Sequence, residues 1–498
     1  MKISTTSQHD ERPKADALLI PCIMGNNRVE CLELPSNLKK AIKQPLDHGD
    51  FLGKLGEFFL LYTEKQPEKR IILVGLGKQE DLNAESLRRA YGKTGLMCRQ
   101  KKLAGLNILV PKLQGLDASV VAGSILEGIS SVNYTFDQLK SKSLENEPTF
   151  YLENLCFTGV DKEVEAHLKQ IQVIFDGVYI ARDLANGNAD DITPQYLGEL
   201  AQEISKEFKS VKTTIFDKKR LEKEGMGLLL AVGQGSHVEP SMIIMEYKGD
   251  PKGKNTVYIG KGVTYDTGGL NLKPTGYMET MKSDMSGAAT GFGIMYAVAS
   301  LKLKLNLVVV IPTTENSISA TSFKPGDVYV GYNGISVEIG NTDAEGRLIL
   351  ADAIAYAAEK YNPSCIIDMA TLTGAIDVAL GPEACGAMGN NVSLINELIQ
   401  AGEATNERVW HMPLFKEYRE QLDSDIADIK NVGTRSGGAC TAAKFLEEFV
   451  NQTPWVHCDI AGLAYLSKPK NHYIPKHATG FGVRLFLNFL MNREKHAL

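Results

Sequence analysis

The chain has 498 residues, a formal net charge of −6, and 43% hydrophobic and 23% charged residues, with a pI near 5.9. That length supports two or three domains with sizeable cores, and the acidic balance argues against broad electrostatic binding to nucleic acid or anionic membranes. No apolar run reaches the roughly 18 residues of a membrane-crossing helix, and the polar stretch from Met1 to Lys14 lacks the apolar core of a secretory signal. A cytoplasmic protein is expected, with no membrane partner.

Residues 1–165 read as a smaller α/β domain. Strands are expected at 15–23, 70–76 and 106–110. Asn83 caps a helix running to Lys101, and helical pattern returns over 120–128. Gly75-Leu76-Gly77 follows a strand like half of a dinucleotide fingerprint, but position 80 is Glu, so the motif is incomplete. The first helix carries Arg88, Arg89, Lys93, Arg99, Lys101 and Lys102. These read as a solvated face or as a nucleic-acid contact, and the acidic whole favours the former. Residues 140–150 read as a loop. A helical segment over 166–185 connects to a larger domain, 186–498, whose first helix is capped by Thr193-Pro194.

The eight cysteines (Cys22, Cys31, Cys98, Cys156, Cys365, Cys385, Cys440 and Cys458) contain no C-x-x-C pair. Buried free thiols are expected.

From position 228 onward short apolar runs alternate with helical patterns. Strands are expected at 228–232, 241–247, 255–260, 305–311 and 365–369, with helices at 287–301 and 348–360. Continuous apolar runs fit a mostly parallel sheet covered by helices on both faces. The chain therefore reads as a two-domain α/β protein.

The chemistry concentrates in two stretches. One is Asn341-Thr342-Asp343-Ala344-Glu345-Gly346-Arg347-Leu348, between an apolar run (Ile335, Val337, Ile339) and a helix, which places it at the carboxyl end of a strand, the edge of an open α/β sheet where ligands bind. It places two carboxylates two residues apart, able to face one side of an extended segment, and such a pair repels unless a proton or a metal lies between. The other carries Lys261, Asp266, Lys273, Lys282 and Asp284 in a glycine-rich loop after a strand. Asp266, Asp284, Asp343 and Glu345 are hard oxygen ligands that could hold two divalent ions roughly 3.5–4 Å apart.

These motifs, in this order and spacing, resemble the leucyl aminopeptidase (M17) family of two-metal exopeptidases, from about Arg182 to about Leu487. Gly187-Asn188 departs from the prolines usual in the family, in a loop outside the site. The resemblance implies a leucyl aminopeptidase that releases N-terminal residues, leucine and similar apolar ones first, by attack of a metal-bridging water. It implies that Asp266 and Glu345 bridge the ions, that Asp284 and Lys261 complete the tighter site, and that Asp343 serves the more exchangeable one. The ions would be zinc or manganese, with cobalt or magnesium also admitted by oxygen ligation. A ligating lysine must be neutral, which requires a strongly depressed pKa. Lys273 would stay charged beside the scissile carbonyl, and Arg347 would hold a bicarbonate acting as general base. Met281 and Ala461 would line the slot for the first side chain, and Thr371, Leu372 and Gly374 would meet the substrate backbone. The resemblance also implies a macro-like first domain and a homohexamer, and some bacterial members bind DNA. His457, Asp368 and Asp459 read as structural. An additional DNA-binding role through the first domain, a catalytically dead scaffold and another two-metal hydrolase, such as a phosphatase, are the competing readings.

Overall fold

The computed structural model describes residues 1–25, 28–32, 34, 36–64 and 66–497. These form two compact units, Met1–Phe175 with Lys468–Lys476, and Asp176–Ser467 with His477–Leu498.

The first unit is built on seven strands: β1 (Lys2–Thr6), β2 (Ala17–Met24), β3 (Val29–Cys31), β4 (Phe58–Tyr62), β5 (Arg70–Gly75), β6 (Gly105–Leu109) and β7 (Asn154–Thr158). Their order is β1-β7-β6-β2-β5-β4, with β3 paired to β2. The ladder is parallel from β1 to β5, and β3 and β4 are antiparallel additions. The β2–β3 register sets Cys22 directly opposite Cys31, and the two form a disulfide. This corrects the expectation of eight free thiols: strand pairing brings together cysteines whose spacing carried no motif. The other six are free and buried.

Asn83 caps the helix Ala84–Gln100 in a reciprocal box with Ser86. Its basic residues do not form a solvated face. Arg88 is buried and pairs with Glu127 of the neighbouring helix Ala118–Val132. Arg99 donates to the carbonyls of Phe150 and Val132 and to Thr135 Oγ1. Only Lys101 and Lys102 of the six are exposed. The expected loop at 140–150 contains a short exposed helix, Ser141–Asn146. The helix Lys162–Asn186 then carries the chain from the first unit into the second.

The second unit holds β8 (Val211–Phe216), β9 (Ser241–Lys248), β10 (Asn255–Gly260), β11 (Gly262–Asp266), β12 (Asn306–Asn316), β13 (Val328–Val330), β14 (Ser336–Glu338), β15 (Cys365–Ala370), β16 (Cys385–Gly389), β17 (Val409–His411), β18 (Ile429–Lys430) and β19 (Trp455–Asp459). The main sheet runs β17-β16-β19-β15-β10-β12-β9-β8, with β11 paired to β12. Its centre, β19-β15-β10-β12, is parallel, and its strands are buried almost throughout because helices cover it.

Two elements differ from expectation. Residues 228–232 lie in a helix, Gly227–Gly233, rather than a strand. A five-residue apolar run carries no period that separates the two, and here the Asp352 carboxylate accepts Leu228 N and Leu229 N at the helix start. The apolar run before Asn341 is also not an edge of the main sheet. It is β14, in a separate three-stranded sheet β13-β14-β18.

Candidate metal centre

Lys261 follows β10 at the sheet centre. A side chain on Gly287 would overlap Met369 O, so glycine there lets the helix Ser286–Leu301 close onto the strand ends. Ala288 N donates to Lys261 O at 2.9 Å and Lys261 N to Met369 O at 3.2 Å. Asp266 ends β11 opposite Asn316, whose Nδ2 donates to Asp266 Oδ1 at 2.8 Å. Asp284 ends a short turn, Met281–Ser283, just before the helix Ser286–Leu301.

Asp343 and Glu345 meet the others by a turn, not by strand alternation. Asp343 N donates to Asn341 Oδ1 at 2.8 Å, and Glu345 is the first residue of the helix Glu345–Tyr361. Asn431 braces this turn by accepting Gly340 N and donating to Asn341 O, each at 2.8 Å. Thr342 and Asn271 exchange two further hydrogen bonds of 2.8 Å. These amide side chains orient the turn that carries Asp343 and Glu345 and stand in loops, where sequence pattern offers little signal.

The charged groups converge. Lys261 Nζ lies 2.7 Å from Asp284 Oδ2, 2.9 Å from Glu345 Oε1 and 2.9 Å from Thr371 O. Lys273 Nζ lies 2.8 Å from Asp266 Oδ2 and 2.7 Å from Asp343 Oδ1. Ligand oxygens of Asp266, Asp343 and Glu345 come within 4.8 Å of one another. Four carboxylates thus face two ammonium groups. Burial pushes Asp266 well above the usual carboxylate range, helped by Glu345 and Asp284. Burial pushes Asp284 up to about 6 despite Lys261. It also raises Asp343, with Glu345 adding to it. Glu345 is the exception: burial would raise it, but Lys261 and Lys273 hold it below its usual range.

Burial alone would lower Lys261, yet Asp284, Glu345 and Asp266 outweigh it and raise its pKa. The depressed lysine expected from sequence is therefore not a property of the protein without ions. Lys261 and Lys273 there supply the positive charge that bound cations would bring. The donor set fits divalent metal: it is rich in hard oxygens, short of positive charge, and leaves Glu345 Oε2 buried without a hydrogen-bond partner among the described residues.

A cavity of about 580 Å³ opens beside these residues. Its lining includes Lys261, Asp266, Lys273, Asp284 and Asp343, together with Met281, Thr371, Leu372, Gly374 and Ala461. Tyr277, Asp377 and Tyr465, which motif reading did not single out, line it as well. No histidine or cysteine is among its lining residues. Glu345 and Arg347 lie behind the lining; Arg347 Nη1 donates to Asn431 O at 2.8 Å and its Nε is buried without a partner among the described residues. Burial lowers Arg347 to about 10. His457 is fully buried, with Nδ1 2.6 Å from Asp368 Oδ1, so it packs in the core away from the cavity.

Residues 179–487 match the cytosol aminopeptidase family, catalytic domain, and residues 26–143 match the N-terminal domain of the same family. The chain belongs to the cytosol aminopeptidase family. It is 52% identical over 492 residues to a probable cytosol aminopeptidase of Protochlamydia amoebophila, covering 98% of both chains. It is 45% identical over 488 residues to one of Chlamydia felis, covering 96% of this chain and 97% of that protein. The match thus extends through the N-terminal part, where motif resemblance was weak. The fold superposes on the bottromycin maturation enzyme BotP, solved in complex with Mn, with a TM-score of 0.85 at 27% identity over 96% of this chain and 100% of that one. Family membership makes the chain an aminopeptidase, a hydrolase acting on peptides, and no described helix is long and apolar enough to cross a membrane.

Proposed function

We propose that the protein is a leucyl-type aminopeptidase working with two divalent ions, zinc or manganese, held by Asp266, Asp284, Asp343, Glu345 and Lys261. The observation that carries this reading is one cavity lined both by the lysine–carboxylate cluster and by the apolar side chains of Met281, Leu372 and Ala461. When bound, the ions would supply Lewis acidity to a water and to the scissile carbonyl.

The chain's own groups do the rest. A free α-amino group would ligate a bound ion through its lone pair, which restricts attack to chain N-termini. The apolar wall takes the first side chain, and a thioether beside small residues suits leucine or methionine. Lys273 is gripped by Asp266 and Asp343 and stays charged, since these carboxylates, with Glu345 and Asp284, overcome the lowering effect of burial. It is placed to donate to the carbonyl oxygen as negative charge develops there. Arg347 keeps donors that suit a small planar anion, and we assign it the bicarbonate that would accept the proton of the water. Direct hydrolysis without an acyl-enzyme is assigned on family grounds. On family grounds we assign the cytoplasm and a homohexamer, which light scattering after size exclusion would test.

The deciding experiment is hydrolysis of leucine-p-nitroanilide against its N-acetylated counterpart, using metal-stripped enzyme, enzyme reloaded with zinc or manganese, and a Glu345→Ala control. Activity requiring metal, a free amino group and Glu345 supports the reading. A folded, metal-loaded enzyme inactive across a wide set of N-terminal residues would overturn it.

A further inference from the structure

We propose that Asp459 is a positioning residue that sets the shape of the first-residue slot and, through Thr371, the placement of the Lys261–Asp284 pair. This rests on the aminopeptidase reading of the cavity.

Asp459 ends β19 and is 1% exposed. It is not among the cavity-lining residues, so it acts through others. Its Oδ1 accepts Leu372 N at 3.1 Å, Thr373 N at 3.4 Å and Ala461 N at 3.2 Å. Its Oδ2 accepts the Thr373 hydroxyl at 2.7 Å. Leu372 and Thr373 follow β15, and Ala461 follows β19. One carboxylate therefore ties together the ends of two adjacent strands whose loops both line the cavity.

All four partners are donors. Three are backbone donors on Oδ1 and the fourth is a hydroxyl that donates to Oδ2; a carboxylate accepts all four, whereas an amide NH₂ in the Oδ2 place would turn the Thr373 hydroxyl into an acceptor and take away the acceptor of its own hydrogen. The tie reaches the metal ligands through the next residue. Thr371 O accepts Lys261 Nζ at 2.9 Å, and Thr371 Oγ1 donates to Asp284 Oδ1 at 2.7 Å. If the segment 371–373 shifts, Lys261 and Asp284 lose a shared brace and the slot loses its wall. Thr373 also caps the helix Gly374–Leu380 by accepting Ile376 N at 3.1 Å, so the same bond orients the slot's outer rim.

The test uses the full chain with D459N, T373V and T373S. The kcat and KM of each are measured on leucine-, methionine- and alanine-p-nitroanilide. Zinc is titrated calorimetrically into metal-stripped protein, and thermal unfolding is followed without metal. For D459N assayed at saturating zinc, so that the weakened site is filled, the expected result is a KM on the leucine substrate raised at least tenfold with kcat changed less than about threefold. The leucine-over-alanine preference should fall at least fivefold, and one zinc site should weaken. T373V should move the same quantities less, and T373S should restore them. A folded D459N with wild-type KM, preference and zinc affinity would overturn the proposal. So would an equal loss of kcat on every substrate that merely follows a lower melting temperature. If D459N does not fold, the T373V and T373S pair decides, and T373V indistinguishable from wild type overturns it. Failure of the aminopeptidase reading itself would show as inactive wild type, and the zinc titration would still report on the brace.

Discussion

Lys261 reaches Glu345 across a gap that Gly346 keeps open: Nζ lies 2.9 Å from Glu345 Oε1, and a side chain on Gly346 would sit 2.5 Å from Lys261 Cε. Lys261 can make room for a methyl there only by giving up Asp284 and Thr371, which hold its ammonium. Gly346 lies in the first turn of a helix, where alanine is otherwise favoured by about 1 kcal/mol. G346A therefore separates folding from function. The expected outcome is a melting temperature near or above wild type with kcat/KM on leucine-p-nitroanilide lowered at least 100-fold. Wild-type activity would show that Lys261 does not need this position.

The proton inventory of the site predicts how it takes up metal. Without ions, Asp266, Asp284 and Asp343 are all raised, Asp284 to about 6, and Lys261 is raised as well. Each would have to shed its proton to ligate, so ion binding releases protons and apparent affinity climbs with pH, through about 6 as Asp284 ionises and on into the alkaline range because Lys261 holds its proton more tightly than a free lysine. Calorimetric titration of zinc in two buffers of different ionisation enthalpy should show a heat that depends on the buffer. A buffer-independent heat would mean the ligands are already deprotonated. Chelation should abolish peptidase activity, and zinc or manganese should restore it without a change in far-ultraviolet circular dichroism.

The convergence of these charged residues was legible because they stand in two short stretches. Lys261, Asp266, Lys273 and Asp284 lie within one, and Asp343, Glu345 and Arg347 within the other. The local route was less legible: Asp343 and Glu345 converge through a turn and a helix start, from a small sheet that the apolar run could not distinguish from the main one. The helix Gly227–Gly233 was hidden for a related reason. Its cap comes from Asp352, more than a hundred residues away, and no local signal marks it. The Cys22–Cys31 bond needed the β2–β3 register, and the burial of Arg88 needed the partner helix that carries Glu127.

That partner makes a stability prediction for the first unit. Arg88 and Glu127 are both buried, and Glu85 stands 3.8 Å from Arg88 Nη1. Truncating Glu127 to alanine leaves a guanidinium short of charge in the core, which costs about 3–5 kcal/mol. E127A should lower the urea midpoint of the first unit markedly, whereas replacing both partners, R88L/E127L, should recover much of the loss. If the single variant is neutral, the pair is solvated in solution and the basic-face reading of this helix returns.

Asp352 gives the second unit a pH signature. Its carboxylate accepts Leu228 N at 3.0 Å, Leu229 N at 2.9 Å and Tyr332 N at 2.8 Å, while burial pushes it up to about 7 against those three donors. The folded value lies above the unfolded value of about 3.9, so the folded state holds the proton more tightly. Asp352 then destabilises the unit progressively as pH rises from about 4 to about 7, and no further above that. D352N should lose this slope. It should also be less stable at pH 5 by about 1–3 kcal/mol, because an amide NH₂ would face backbone donors on one side. Urea midpoints of both proteins at pH 5 and pH 8 decide it. The wild type should lose more on going to pH 8 than D352N does, and equal shifts would mean that the three backbone donors keep Asp352 ionised throughout.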